Sequence, residues 1–508
     1  MHNQLEVERK FTVDEDFDLT SVRLSDRTRL VHDGVFQLRA TYYDAADLRL
    51  IAEGITLRRR TGGPDDGWQL KLPHGPDGRE EVHEPAAAGE TEPPASLRGL
   101  VLAHLRGETL RPVAQITTSR VVHRLVGDER GGPVLAELVD DHVTAEVCGD
   151  EAISTAWREV EAELVEGDAD LLRAVTAALE RAGASRAVAG SKLERALGGR
   201  VPPRRQAPAG LGRDSDAAAV ALAYLRQQVA AITAADPLVR LDAEDAVHQM
   251  RVASRRLRAA LTTFRPHLAR GHTDALRGEL RWLAGLLGDV RDAEVLRDRL
   301  RDRFDAAPAG PGTAAARARV DAGLSRRYDH ARAEMLHQLD SPRYRRLLDD
   351  LDGLLDAPPL TPRARRPARE ELPGRARKAW KALRRAHQAA DAAVTPGERA
   401  TALHEVRKAA KRARYTGEAL QPAFGKDAAR FAAAMERVQE VLGEHQDSQV
   451  ARETLAEMAA QAYAAGEDTF AYGFVAGLEE AAAAAARSTY RDAWRAASRQ
   501  KLHRWTRS

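Results

Sequence analysis

Near residue 198 the hydrophobic periodicity of this chain changes from two residues to 3.6, which divides it into two different folding problems. Before that point, strand-like alternation is broken by the turn clusters Thr61-Gly-Gly-Pro-Asp-Asp-Gly67, Pro73-His-Gly-Pro-Asp-Gly78 and Asp128-Glu-Arg-Gly-Gly-Pro133. Such punctuation predicts an antiparallel, hairpin-rich sheet. Helices are expected at about 95–107 and 168–182, the second from Leu171, Leu172, Val175 and Leu179 at helical spacing. Residues 198–214, rich in Pro, Gly and Arg, read as a linker. Beyond them Ala, Leu, Arg and Glu dominate, and the rest of the chain is expected to be all-helical, with breaks at 307–312 and 357–374.

The length of 508 residues calls for more than one domain, and 30% charged residues suit a soluble protein. No apolar run approaches a membrane span, and the opening Met-His-Asn-Gln-Leu-Glu lacks a basic n-region and an apolar h-region. A cytoplasmic protein is expected, with no membrane partner. Cys148 is the single cysteine, which excludes a disulfide framework and a cysteine-based zinc site and leaves oxygen ligands, with histidine, for any metal. The net charge of +2 conceals an asymmetry: residues 1–200 carry 25 basic and 36 acidic side chains, the remainder 53 and 40. The second half would attract polyanions.

Residues 6–10 read Glu-Val-Glu-Arg-Lys. On a strand Glu6, Glu8 and Lys10 share one face, and Val7 and Arg9 the other. Two carboxylates and an ammonium on one face suit a metal-bound phosphate, although an isolated motif of this kind also suits a solvated edge strand. Other segments supply matching charge: Arg58 and Arg60 on one parity, Lys71 after Trp68, Arg120 in a strand-like run, Glu159, Glu161 and Glu163 in alternation, and Glu137 on the face of Asp141. Arginine forks and lysine point charges can hold a triphosphate, and the carboxylates can bind Mg²⁺ or Mn²⁺ through hard oxygen ligands. Trp68 and Trp157 read as packing residues.

This half resembles the CYTH family, the triphosphate tunnel metalloenzymes, from about Glu6 to Leu197. The resemblance rests on Glu6-x-Glu8-x-Lys10, Tyr43-Asp44-x-x-Asp47-Leu-Arg-Leu50, Gly54-Ile-x-Leu-Arg58-x-Arg60, Leu70-Lys71-x-Pro73, Glu159-x-Glu161-x-Glu163-Leu164 and Ser191-Lys192. It implies a closed antiparallel β-barrel whose lumen binds triphosphate, with Glu6, Glu8, Lys10 and Glu161 as the catalytic set. Glu6, Glu8, Asp141, Glu159, Glu161 and Glu163 would be metal ligands or their neighbours, while Glu163 and Glu137 could instead orient a lumen arginine. Lys10, Arg58, Arg60, Lys71, Arg120 and Lys192 would hold phosphate oxygens. Around Arg120 the sequence Gln115-Ile-Thr-Thr-Ser-Arg120 departs from relatives that often carry more than one arginine; either the lost lumen charge weakens substrate binding, or Arg124 and Arg39 supply it.

The helical half contains a duplication. His248-Gln-Met-Arg251-Val-Ala-Ser-Arg255-Arg-Leu-Arg258 returns as His404-Glu-Val-Arg407-Lys-Ala-Ala-Lys411-Arg-Ala-Arg414, offset by 156 residues, and Leu287-Gly288-Asp289-Val-Arg-Asp292 returns as Leu442-Gly443-Glu444-His-Gln-Asp447, offset by 155. His248, Arg251, Arg255 and Arg258 fall on one helical flank, Met250, Leu257, Leu261 and Phe264 on the other. A lone arginine stripe is usually a solvated face, but two related His-led stripes can line a shared groove that tracks a linear polyanion. Arg377, Lys381 and Arg384 form a further basic stretch, and Asp292 and Asp447 are expected to orient basic partners. These features resemble the CHAD family, the conserved-histidine α-helical domains, from about Asp216 onward. That resemblance implies two pseudo-symmetric helical bundles that bind inorganic polyphosphate; the expected contacts are His248, Arg251, Arg255, Arg258, His404, Arg407, Lys411 and Arg414 of the two stripes, with Arg377, Lys381 and Arg384 added from the further basic stretch. Gln446 stands where the first repeat has Arg291, so the halves need not bind equally.

The expected protein is thus a multidomain α+β chain: a triphosphate tunnel at 1–199, a linker at 200–215 and an all-α domain at 216–508. Its expected activity is Mg²⁺- or Mn²⁺-dependent hydrolysis of inorganic triphosphate or short polyphosphate, joined to polyphosphate binding, in the cytoplasm and at polyphosphate granules. The rivals are a non-catalytic granule-binding protein and a nucleotide or thiamine triphosphatase or adenylate cyclase. Few aromatics and no familiar recognition motif argue against nucleic acid.

Overall fold

The computed structural model describes residues 2–23, 28–74, 78–87, 89–127, 132–149, 153–188, 190–203 and 210–507, with residues 2–6 and 74 described in their backbone alone. Two compact units emerge, Met1–Arg205 and Gln206–Ser508. No helix among the described residues is long and apolar enough to cross a membrane.

The first unit contains β1 (His2–Thr12), β2 (Thr28–Asp44), β3 (Thr56–Thr61), β4 (Gly67–His74), β5 (Gly78–Glu84), β6 (Arg111–Gly127), β7 (Val134–Val147), β8 (Ile153–Leu164) and the short β9 (Ser185–Arg186). Pairing is antiparallel throughout, in the order β5-β4-β3-β2-β6-β7-β8-β1. The sheet closes because β1 has two partners: His2–Val7 lies against β5 and Glu8–Thr12 against β8. An eight-stranded barrel results, and residues 28–38 of β2 run on past the end of β3, paired with β6 alone. Gly62, at φ 88°, makes the turn after β3 possible, since a Cβ there would collide with the Gln37 carbonyl oxygen.

This barrel carries its main hydrophobic core outside. Phe11, Leu138, Val160 and Ala162 face outward and are covered by Leu172, Val175 and Leu179 of α4 (Ala169–Arg181), which Asp168 caps by accepting from Leu171 N at 2.8 Å. Three short helices, α1 (Arg49–Ala52), α2 (Ala95–Leu100) and α3 (Leu102–Leu105), precede α4. The helix expected at 95–107 is therefore two pieces, parted at Val101. One end of the barrel is filled by α5 (Lys192–Leu197), whose Leu193, Ala196 and Leu197 cluster with Ala40, Ala114, Ile116, Val143 and Ala145. Those strand residues have the parity of the lumen, so the inner face is apolar at the plugged end and polar elsewhere.

The second unit is helical: α6 (Ala217–Arg240), α7 (Ala246–Thr263), α8 (Arg270–Asp305), α9 (Pro311–Leu339), α10 (Pro342–Asp356), the short α11 (Ala368–Glu371), α12 (Pro373–Ala392), α13 (Pro396–Ala464) and α14 (Phe470–Ala497). α13 is broken at Gly425, where φ 49° and ψ −126° leave the helical region three residues after Pro422. The two parts of α13 then stand to each other as α7 does to α8. Thus α6–α9 and the set formed by α12, the halves of α13 and α14 are the physical form of the duplication. Buried Met250, Leu257, Leu261 and Phe264 pack α7, and Val406, Ala410, Ala413 and Leu420 pack α13.

Gly417 sits where the two parts of α13 approach. A Cβ there would lie 2.9 Å from the Phe431 ring and 3.0 Å from Ala432 Cβ. Gly417→Val should destabilise the helical unit by about 1–3 kcal/mol, read as a lower urea midpoint. At Gly397 an added Cβ meets nothing within 4 Å, and Gly397→Ala should leave that midpoint unchanged or raise it.

Candidate active site and anion groove

The inward parity of the strands brings charge of both signs around a cavity of about 370 Å³. Across three adjacent strands Glu8, Glu163 and Glu137 stand in register as neighbours. Like charges placed directly opposite are destabilising in a sheet. Glu8 is relieved by Lys10, whose Nζ donates to its Oε2 at 2.8 Å. Burial opposes ionisation of Glu8, but Lys10 and Lys71 outweigh it and hold the carboxyl below its usual range. Glu163 has no such partner among the described residues. Burial raises it most, Lys71 opposes that, and Glu8, Glu161 and Glu81 add to the rise, so Glu163 titrates at about 7.

The facing wall is basic. Arg58 donates to Gln69 Oε1 at 2.7 Å and to Tyr42 Oη at 3.0 Å, so its bonds go to an amide and a phenol rather than to a carboxylate. Arg60 reaches Asp65, an exposed residue at the rim, and its Nε is buried without a hydrogen-bond partner. Burial, then Arg58 and Arg120, push Arg60 down to about 10. Burial is the larger cause, and the two neighbouring guanidinium groups add positive potential to it. Lys71 pairs with Glu81 at 3.1 Å, and Arg79 donates to the Gly190 carbonyl at 2.7 Å.

At the deep end Asp141, Glu159 and Glu161 converge, with ligand oxygens within 4.8 Å of one another. All three are buried. Arg120 forks onto Asp141 at 2.8 and 2.6 Å and also donates to Glu161 at 2.9 Å. Lys10 also reaches Glu161. Lys192 Nζ lies 2.9 Å from Asp141, 2.7 Å from Glu159 and 2.7 Å from Glu161. The donor set is carboxylate oxygen only, which fits a hard divalent ion such as Mg²⁺ or Mn²⁺.

Most of the expected tunnel residues therefore meet: Glu8, Lys10, Arg58, Arg60, Lys71, Arg120, Glu137, Glu161, Glu163 and Lys192 all line the cavity, and Asp141 and Glu159 join it through Glu161 and Lys192. Glu6 pairs with Arg79 in backbone register, and its side chain lies outside the described residues. Arg120 and Lys192, expected on phosphate, are bonded to carboxylates here. Neither Arg124 nor Arg39 lines the cavity: Arg124 pairs with Asp33 at 2.9 Å, and Arg39 is exposed beside Gln115. Trp157 is more than packing, because its Nε1 donates to Glu159 Oε2 at 2.6 Å while Arg195 covers its ring at 4.9 Å. Asp44 serves the fold, accepting from the amides of Ala45, Leu50 and Ile51 to hold α1. Sequence reasoning missed Arg79 and Glu81; the alternation Arg79, Glu81, His83 in β5 was the available signal.

In the helical unit both His-led stripes lie on their matched helices. The duplicated glycines explain one part of the pattern: Gly288 lies 3.6 Å from Arg251 Nη2, and Gly443 lies 3.7 Å from Arg407 Nε, measured from the position a Cβ would take. Each arginine thus crosses a neighbouring helix at a residue without a side chain. Arg251 then reaches Asp292 at 2.7 Å. The stripes converge at Lys411, which burial and then Arg255, Arg407, Arg251 and Arg258 push down to about 7. Arg414 is occupied by Glu418 and Glu436, at 2.7 and 2.8 Å, so it is neutralised within the helical unit. His404 Nδ1 lies 3.0 Å from Gln446 Oε1, whereas the equivalent Arg291 pairs with Glu294 at 2.8 Å. Burial, with Arg291, Arg255 and Arg251, lowers His248 against the pull of Asp245. Arg377, Lys381 and Arg384 are exposed on α12.

Glu163 makes the tunnel pH-sensitive. A glutamate at its ordinary 4.5 releases in the unfolded chain a proton that the fold retains to about 7. Stability therefore falls as pH rises through that window, and the whole cost stands above it. In metal-free buffer Glu163→Gln should be more stable than wild type above pH 7, by on the order of 1–2 kcal/mol, with the gain vanishing at the acidic end of the window. Chemical denaturation across pH checks it.

Comparison with known proteins agrees with this geometry. A model of the CYTH domain matches residues 4–197, and a model of the CHAD domain matches residues 223–456. An uncharacterized protein of Mycobacterium tuberculosis, recorded in two strains, is 41% identical over 495 residues, covering 93% of this chain and 92% of its own length. Among solved structures, PptA from Streptomyces chartreusis is 24% identical, with 55% of this chain and 100% of that one covered at a TM-score of 0.47. The CHAD domain from the plant Ricinus communis is 27% identical, with 59% and 96% covered at a TM-score of 0.44. The chain belongs to the proteins that join an N-terminal CYTH domain, the triphosphate tunnel fold, to a C-terminal CHAD domain.

Proposed function

We propose that the barrel hydrolyses inorganic triphosphate or short polyphosphate with Mg²⁺ or Mn²⁺, and that the basic helical domain binds longer polyphosphate. The observation that carries the first part is that Arg58, Arg60, Lys71 and Arg79 share a cavity of about 370 Å³ with Glu8, Glu161 and Glu163, Glu161 being clustered with Asp141 and Glu159. That volume lies within the roughly 300–1,000 Å³ range of small-ligand sites. Arg58, Arg60, Lys71 and Arg79 would hold phosphate oxygens, and the carboxylates would present the reacting end of the anion to a metal ion. Asp141, Glu159 and Glu161, with Glu8 beside them, would hold that ion. A divalent ion bound there would neutralise phosphoryl charge and activate water. Positioning and charge neutralisation are most of what phosphoryl transfer requires, so no nucleophilic side chain is needed.

An inorganic substrate is favoured over a nucleotide or thiamine ester by the lining. Its aromatic members among the described residues are Tyr42, which is bonded to Arg58, and His83, whose Nε2 lies 3.3 Å from the Asp66 carbonyl. Neither is an open platform for a base. For the helical domain, the support is the convergence of Arg251, Arg255, Arg258 and Arg407 on Lys411. A polyanion relieves that mutual repulsion, and such a protein would sit in the cytoplasm with polyphosphate granules.

Wild type should release phosphate from tripolyphosphate with Mg²⁺ or Mn²⁺ faster than from ATP or thiamine triphosphate, and Glu8→Ala should reduce the rate at least about 100-fold. If none of the three substrates is hydrolysed under either ion, the hydrolase reading fails and binding alone remains. In the full chain, Arg255→Ala with Lys411→Met should weaken binding of long-chain polyphosphate about tenfold or more and flatten its salt dependence. Unchanged affinity, or equal displacement of the polymer by RNA, would count against the polyphosphate groove.

A further inference from the structure

The deep carboxylates are already served by a cation of the chain itself. Lys192 is the first residue of α5, placed there by Ser191, whose hydroxyl accepts from Glu194 N at 3.1 Å. Its Nζ touches each member of the cluster that suits a divalent ion, at 2.7 to 2.9 Å. The lysine is 8% exposed, and Asp141 is fully buried. An internal ammonium therefore sits where an external cation would bind.

We propose that Lys192 is a resident counter-ion that a divalent cation must displace from Asp141, Glu159 and Glu161, and that the displaced ammonium turns into the lumen to meet the polyanion. This deepens the reading of the tunnel as a metal-dependent site and rests on it. Charge balance gives the reason. Four carboxylates, Glu8, Asp141, Glu159 and Glu161, are contacted by the three cations Lys10, Arg120 and Lys192. Arg195, 3.8 Å from Glu159, and Arg79, 3.9 Å from Glu8, add two weaker cationic partners. Adding a divalent ion to that set gives a buried site an excess of positive charge, which low-dielectric surroundings penalise.

Something cationic has to leave, and Lys192 is the group built to do so. Arg120 is locked to Asp141 by a two-bond fork. Lys10 projects from β1, its backbone paired with β8, and bridges Glu8 to Glu161. Lys192 projects from a helix end on a flexible four-carbon stem, and it also lines the cavity. One residue then couples two ligands. With the metal absent it holds the carboxylates together; with the metal present it becomes an additional contact for phosphate. Metal and polyanion would bind cooperatively without a backbone movement.

The test is Mn²⁺ binding to the full chain with no phosphate present, followed through the electron paramagnetic resonance signal of the free ion. Lys192→Met should bind Mn²⁺ at least about tenfold more tightly than wild type, and Lys192→Met/Glu159→Gln should lose that gain. A Lys192→Met isotherm that superimposes on the wild-type curve, or is weaker, overturns the proposal. A second readout avoids the variant: acylation of wild-type lysines, located by peptide mass spectrometry, should modify Lys192 several-fold faster at saturating Mn²⁺ than without it. Labelling that does not respond to Mn²⁺ overturns it equally. Lack of tripolyphosphate hydrolysis would strike the proposed activity while leaving both measurements intact.

Discussion

Closure of the sheet through β1 is the constraint on which the first domain depends. One strand pairs with β5 over its first half and with β8 over its second, so residues far apart in the chain come to face a single enclosed space. Enclosure makes the charges matter. Glu8, Glu163 and Glu137 would be an unremarkable set of acids on an open sheet, where water screens them. Inside a barrel, burial, with the neighbouring acids, pushes Glu163 up to about 7 and raises Glu137 too, while burial, then Arg58 and Arg120, depress Arg60. Strain of this electrostatic kind is relieved by a ligand of the right charge pattern, which is why the lumen reads as a binding site and not as a core.

Stability has to come from elsewhere, and the fold inverts the usual arrangement to provide it. The outward faces of β1, β7 and β8 carry Phe11, Leu138, Val160 and Ala162, and α4 covers them. At one end the inward face also turns apolar and accepts α5, which seals the tunnel and delivers Lys192 to its floor. Plugging the barrel and placing a cation beside three buried acids are thus one structural act.

In the helical domain the same economy shows in the duplicated Leu-Gly pairs. Gly288 and Gly443 leave room for the guanidinium groups of Arg251 and Arg407, one in each basic stripe. The repeats then diverge in detail: Gln446 engages His404, whereas Arg291 turns to Glu294. Of the expected anion contacts, Arg414 is withdrawn by Glu418 and Glu436, while Lys411 lies at the meeting point of the cations.

Much of this was legible in the residues alone. Alternation along a strand assigns faces, so Glu8, Lys10, Arg58, Arg60 and Glu161 could be placed on one surface without coordinates, and a 3.6-residue period did the same for His248, Arg251 and Arg255. The break in α13 at Gly425 lay under an unbroken helical pattern and was not legible, nor was the role of Trp157 beneath Glu159. Parity says which side chains share a face but not which atoms touch, because contacts depend on the register and tilt of strands distant in sequence. What the sequence by itself determined is a charged tunnel followed by a duplicated basic helical domain, since periodicity and residue type are local properties. Only the tertiary structure decided that Lys192 clasps Asp141, Glu159 and Glu161, that Arg79 and Glu81 join the lumen, and that Lys411 stands among four arginines. Each of those is a meeting of segments brought together by closure and packing, where burial sets the strength of every charge.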